Sequence, residues 1–198
     1  MKTIKNIIVA MLFLGFSYNA LAHANTPHAT AKEFVLHALE IEINALINSD
    51  VSEEERLNAF MPFVQKNIDV KYLVKFTTGG RKWRKASDNE KARAIYLMRT
   101  RIAKLYIKNF KKIQGGSIVI QRVTENNGIT TIKSKIRLAG GGDFNVSFII
   151  NKNFETFRIQ DVIVENIRIS SIVKNHFRRN VKQDGIAGLI KKLENEIA

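Results

Sequence analysis

A chain of 198 residues with 32 Lys+Arg against 18 Asp+Glu carries a formal charge of +14 and contains no cysteine. Without cysteine there are no disulfides, no thiolate metal site, no cysteine nucleophile and no lipid-modified N-terminal cysteine. The charge excess selects anionic partners: nucleic acid inside the cytoplasm, or anionic lipid headgroups and acidic protein surfaces outside it.

The first 22 residues separate those compartments. Lys2 and Lys5 precede the apolar run Ile7–Phe16, and Ala20-Leu21-Ala22 supplies a small-x-small cleavage pattern, with Ala22-His23-Ala24 as a second choice. This is the pattern of a secretory signal peptide. A membrane-spanning helix needs ~20 apolar residues, about twice this run, so an uncleaved anchor is the weaker alternative. The expected organisation is a signal peptide over 1–22 and one exported domain over 23–198, long enough to bury a sizeable core. Nucleic acid is then not an expected partner.

The polar start HANTPHA leads into Thr30-Ala31-Lys32-Glu33, a capping box, and apolar spacing predicts a helix over 31–48. Ser52–Glu55 is a second capping box, and its helix is expected to end or kink near Pro62, which lacks an amide donor. Asp69 is placed to cap a further helix through Thr77, closed by Gly79-Gly80.

The stretch GGRKWRKAS (79–87) surrounds the single tryptophan with four basic residues. It reads as a phosphate-binding clamp, a lipid-interface patch or a turn pinned by a buried indole. Ser87–Glu90 is the third capping box and opens the longest predicted helix, 88–112, with Ile95, Met98, Ile102, Leu105 or Tyr106, and Ile113 on its apolar stripe. Arg101, Lys104, Lys108 and Lys111 recur at intervals of three or four on another face, either a solvated face or a docking face.

After Gly115-Gly116 the period changes to two. Residues 117–125 and 128–139 form a hairpin about Asn126-Asn127-Gly128, with Ile132, Ile136 and Leu138 on one face and Lys133, Lys135 and Arg137 on the other. Gly140-Gly141-Gly142 is a loop without the lysine-serine/threonine pattern of a phosphate cradle. Residues 143–153 place Phe144, Val146, Phe148 and Ile150 on one face, and a strand over 156–170 changes phase twice, which signals a bulge or sharp curvature. Helices over 171–183 and 185–197 close the chain, separated at Asp184-Gly185. Helices, four antiparallel strands, then helices make an α+β domain. A curved sheet with one apolar face closed by helices is a container.

Little in the sequence points to catalysis. His23 and His28 lie in the polar start, while His37 and His176 fall on helices far apart in sequence, without partner motifs. Asp161, inside the apolar run Asp161–Val164, reads as a buried carboxylate tied to an arginine or backbone amide. Its rival role is as half of a catalytic pair with a histidine inside a pocket, which would make the chain an enzyme on a cone-shaped α+β fold. No enzyme is expected.

Several segments in order resemble the MlaC, or toluene-tolerance, family. Asn67-Ile68-Asp69-Val70 with Leu73, then Gly80–Arg84 with Ala86-Ser87, resemble its Asp-containing helix and glycine-x-x-tryptophan turn. Tyr106 matches a tyrosine of the family's long helix. Asp161–Ile167 resembles the family's Asp-Val-x-Val-Glu-Gly-Val strand, and Asp184–Leu189 its closing glycine-rich helix start. The likeness runs over most of 30–195, with Asn166 standing where glycine is expected and Arg168 where serine is usual.

The resemblance implies a periplasmic phospholipid carrier of Gram-negative bacteria that helps to maintain outer-membrane lipid asymmetry. Such a carrier shuttles lipid between an outer-membrane lipoprotein–porin complex and an inner-membrane transporter with an MCE-domain protein. It implies no cofactor beyond the lipid cargo, transient docking and a monomer. The expected lipid wall is Ile132, Ile136, Phe144, Val146, Phe148, Val162 and Val164 of the sheet, with Leu73, Phe76, Leu97 and Ile102 from helices. Arg101, Lys104, Lys108 and Lys111 are the expected docking residues. The alternative is an extracytoplasmic basic adaptor that binds acidic proteins or polyanions without a cavity.

Overall fold

The computed structural model describes residues 30–38, 52–109, 117–138, 141–153 and 156–198. The expected signal peptide, Lys111, Ile113 and the second half of the first predicted helix lie outside the described residues. Short helix α1 (Ala31–Leu36) starts at the Thr30–Glu33 capping box. Helix α2 (Glu53–Asn67) starts at the Ser52–Glu55 box.

Of the two outcomes expected at Pro62, an end or a kink, the helix does not take the first: α2 continues through the proline. The Phe60 ring stacks on Phe63 at 5.0 Å and on Tyr106 at 4.1 Å, so both sides of the proline are fixed by the same aromatic cluster. Pro62 and Asn58 lie on the exposed face, where the Asn58 carbonyl that loses its amide partner can meet water.

Helix α3 (Val70–Thr78) is capped by Asp69, whose Oδ1 accepts from the Tyr72 amide at 2.9 Å. Gly79, at φ +80°, ends it. The tryptophan stretch forms a six-residue helix, α4 (Gly80–Lys85), and its indole is buried. Lys82 Nζ donates to the backbone carbonyls of Val181 and Lys182 on the last helix, satisfying helical C=O groups that a kink leaves open. Part of the basic cluster is therefore structural. Helix α5 (Asp88–Asn109) follows from the Ser87–Glu90 box, in which each residue's side chain accepts from the other's amide.

The sheet has five antiparallel strands in the order β1-β2-β3-β4-β5, one more than expected. β1 (Ser117–Asn126) and β2 (Ile129–Arg137) meet at Asn127 and Gly128, both at positive φ, the geometry that two-residue hairpins require. β3 (Asp143–Asn153) pairs with β4 (Thr156–Val164), and the register slips between Ile149 and Ile150. Ile150 faces Ile159 and Ile149 faces Asp161, so Gln160 is the extra residue of a bulge.

The second phase change of the predicted 156–170 strand is a separate hairpin. Glu165 and Asn166 sit at φ +46° and +65°, and two-residue β5 (Ile167–Arg168) folds back on β4. Asparagine tolerates the left-handed region better than most non-glycine residues, which accounts for Asn166 at a glycine position.

Helix α6 (Ile169–Ile197) is two helices joined at Asp184 and Gly185, the latter at φ +63°, ψ −135°. Gly188 lets the halves close up: a Cβ there would stand 2.3 Å from the Asn180 carbonyl oxygen. Helices α3 and α5 pack on α6, while α2, α3 and α6 meet β4. The exposed side of β4 beyond β5 is covered at Ile68, which bridges Ile159, and by the Asp69 amide, which donates to the Ile159 carbonyl at 2.9 Å.

Candidate lipid-binding cavity

The bulge on β4 sits where α3, α5 and α6 come together. A cavity of about 60 Å³ opens there. Four consecutive strand residues, Ile159, Gln160, Asp161 and Val162, line it. Strict alternation would offer only every second residue to one face, so the extra residue is what widens the strand's contribution. Helix α5 adds Met98, Arg101, Ile102, Leu105 and Tyr106, α6 adds Ile169, Ser170 and Val173, and Ile68 and Leu73 come from the α2–α3 corner.

Two polar groups in the wall are structurally committed. Asp161 Oδ1 accepts from the amides of Val162 at 2.9 Å and Ser170 at 3.1 Å, and Oδ2 accepts from Ser170 Oγ at 2.6 Å. Arg168 Nε lies 3.1 Å from Oδ2. The expected buried carboxylate tied to arginine and backbone is thus observed, with Arg168, the departure from the family pattern, as the arginine. Burial pushes the Tyr106 phenol well above its ordinary range, so it stays neutral. Among the described residues no histidine lines the cavity.

His176 instead meets Glu196 at 2.5 Å, where Arg101 Nε donates at 2.7 Å and Lys192 Nζ lies 3.1 Å away. Burial works against ionisation of Glu196, but hydrogen bonds from Arg101 and His176 and the nearby Arg101 charge hold its carboxyl at about 2. Among the described residues no group of His, Asp or Glu is placed to hold a metal ion, and no helix is long and apolar enough to cross a membrane.

Of the expected lipid wall, Leu73, Ile102 and Val162 line the cavity. Leu97, Ile132, Ile136, Val146, Phe148 and Val164 are buried in the continuous core, with Phe144 packed against it. Phe76 is half-buried, stacked on Tyr72 with Lys174 Nζ over its ring. Of the expected docking set, Lys104 and Lys108 are exposed, and Lys104 Nζ donates to the Ile197 carbonyl. Arg101 turns to the cavity and Glu196. Ile68, Met98, Leu105, Ile159 and Val173 went unrecognised as cavity residues, because only the packing of α5 and α6 over the bulge brings them together.

A family model described as MlaC protein matches residues 41–195. The chain belongs to the MlaC family. The fold is similar to that of a solved phospholipid-binding protein from Ralstonia solanacearum, determined in complex with a phospholipid. The TM-score is 0.69 at 15% sequence identity, covering 85% of this chain and 97% of that one. No curated protein matches the chain. The span matched to the MlaC family contains the Asp69, Trp83 and Asp161 segments.

Proposed function

We propose that this protein is a phospholipid carrier of the periplasm, exported by a cleaved signal peptide. It would move lipid between an outer-membrane lipoprotein–porin complex and an inner-membrane MCE-domain transporter, and so maintain outer-membrane lipid asymmetry. The observation that carries the reading is the mostly apolar cavity at the β4 bulge, in a chain of the MlaC family whose fold is like that of a protein solved with a phospholipid. Carriage needs burial and release, not bond chemistry, and the described wall is mostly apolar.

Burying a methylene is worth about 0.8 kcal/mol, and a bilayer offers nearly the same. Exchange between membrane and carrier is then close to neutral, as a shuttle requires. The cavity of about 60 Å³ admits a handful of waters, at ~10–15 Å³ for each, and not an acyl chain. Loading therefore has to part α3, α5 and α6 from β4. The buried sheet wall Ile132, Ile136, Val146, Phe148 and Val164, with Leu97, Phe144 and Phe76, becomes lipid contact only in that opened state. Lys104 and Lys108, with Lys111, remain the proposed docking cations.

The test is purification of the exported chain from a bacterial periplasm without detergent, followed by native and denatured masses and lipid extraction. A stoichiometric diacyl phospholipid in the native mass is expected. A clean protein mass, with no uptake from vesicles, overturns the reading.

A further inference from the structure

Among the described residues the rim of the cavity carries a single charged side chain. Five of its lining residues, Leu73, Arg101, Ile102, Leu105 and Gln160, are only half-buried and mark the open edge. Of these, Arg101 alone is charged. Its Nε is fixed on Glu196 Oε2 at 2.7 Å, and its guanidinium carbon lies 5.3 Å from the centre of the Phe177 ring. Among the described residues Arg101 makes no other hydrogen bond. Its two terminal amino groups, the fork that recognises phosphate in a bidentate manner, are not engaged.

The local charge balance leaves the same opening. Glu196 is shared by Arg101, Lys192 and His176, so one carboxylate faces two permanent cations and a histidine. Asp161, the carboxylate among the described lining residues, is consumed by Val162, Ser170 and Arg168. Among the described lining residues an anion at the rim meets positive charge at Arg101, only partly balanced by the shared Glu196, in a half-buried setting where screening by salt is weaker than on an open surface.

We propose that Arg101 binds the phosphodiester of the cargo at the cavity mouth, so that the protein selects phospholipids over neutral diacyl lipids. The assignment rests on the carrier reading and adds the part of the lipid that is recognised. Arg101 is then a binding residue for cargo, while docking falls to Lys104 and Lys108. Glu196 sets the plane of the guanidinium by holding Nε, which leaves the fork free.

The test measures transfer from neutral vesicles doped with pyrene-labelled phosphatidylglycerol or with the pyrene-labelled diacylglycerol of the same chains. A pyrene-labelled fatty acid separates phosphate from carboxylate recognition. The wild type is expected to favour the phospholipid over the diacylglycerol about tenfold, and the phospholipid over the fatty acid several-fold. R101Q should remove the first preference, lowering phospholipid uptake several-fold more than diacylglycerol uptake. Where R101Q does not fold, R101K decides. It keeps the charge beside Glu196 but loses the fork, and a several-fold fall in the ratio of phospholipid to diacylglycerol uptake is expected.

An unchanged ratio in the folded variant overturns the assignment. Equal uptake of both diacyl lipids by the wild type overturns it too, while leaving the carrier standing. A fatty acid bound better than the phospholipid overturns the phosphodiester as the recognised group. Uptake of no lipid by the wild type removes the carrier reading, and this assignment with it.

Discussion

Asp161 caps the last helix from across the sheet: its carboxylate accepts the Ser170 amide at 3.1 Å and the Ser170 hydroxyl at 2.6 Å. Ser170 lies in the first turn of α6, which has no side-chain cap of its own at Arg168. A negative charge there satisfies an orphan amide and complements the helix dipole. The same carboxylate sits on the β4 bulge, so one side chain ties the strand that lines the cavity to the helix that covers it.

The stability of that tie is measurable. The Asp161 side chain is 2% exposed and that of Arg168 is 44% exposed. D161A strands the buried donors of Val162 and Ser170 and is expected to cost about 2–4 kcal/mol in urea unfolding, through unsatisfied buried groups. R168A removes only a half-exposed partner and should cost under ~1 kcal/mol. Equal losses for the two variants would show that the ion pair, and not the helix cap, carries the stability.

The kink in α6 depends on a close backbone approach. A Cβ at Gly188 would meet the Asn180 carbonyl oxygen at 2.3 Å, and a backbone atom cannot swing away as a side-chain tip can. G188A is expected to destabilise by about 1–3 kcal/mol through overpacking, read as a lower urea midpoint at unchanged slope. A loss under ~0.5 kcal/mol would mean that the two halves of the helix separate freely.

Local features were legible in the sequence because their causes are local. The three capping boxes, the Asn127-Gly128 turn and the Asp184-Gly185 break each depend on a few adjacent residues, and each formed where expected. The β4 bulge was legible as a change of phase. Pro62 does not end α2, because the aromatic cluster that keeps the helix continuous includes Tyr106, a residue on another helix. The Glu165-Asn166 hairpin was missed because glutamate at φ +46° has no propensity signal. Spacing put Arg101 among the lysines of α5; only the position of α6 reveals that it meets Glu196 and the cavity.

Acid should loosen the contact between α5 and the end of α6. Glu196 ionises at about 2, against an ordinary 4.5. A carboxyl lowered by folding adds stability above its unfolded value and loses it as pH falls through the folded one. The contribution of Glu196 is therefore present above about pH 4.5 and lost between about 4.5 and 2. E196Q should melt below the wild type at pH 6, and the gap should close by pH 2. A gap that stays constant across that window would contradict the assignment of the low value to Glu196.

Filling the cavity should stop loading without unfolding the protein. Val173 lines the cavity from α6 and is buried. V173F would place a ring in the space between α6 and the β4 bulge, at an overpacking cost of about 1–3 kcal/mol. Ile132, in the buried sheet wall away from the cavity, is the control: I132V should cost about 0.5–1.5 kcal/mol. If lipid enters at the bulge, V173F should lower uptake from vesicles at least fivefold at 25 °C while melting well above that temperature, and I132V, which trims the wall by one methylene, should lower uptake far less. The reverse pattern, with I132V impaired and V173F normal, would move the entry point from the bulge to the sheet face between β2 and β3. That distinction matters because loading at the bulge requires only the helices to part from β4, whereas loading at the sheet face requires the core itself to open.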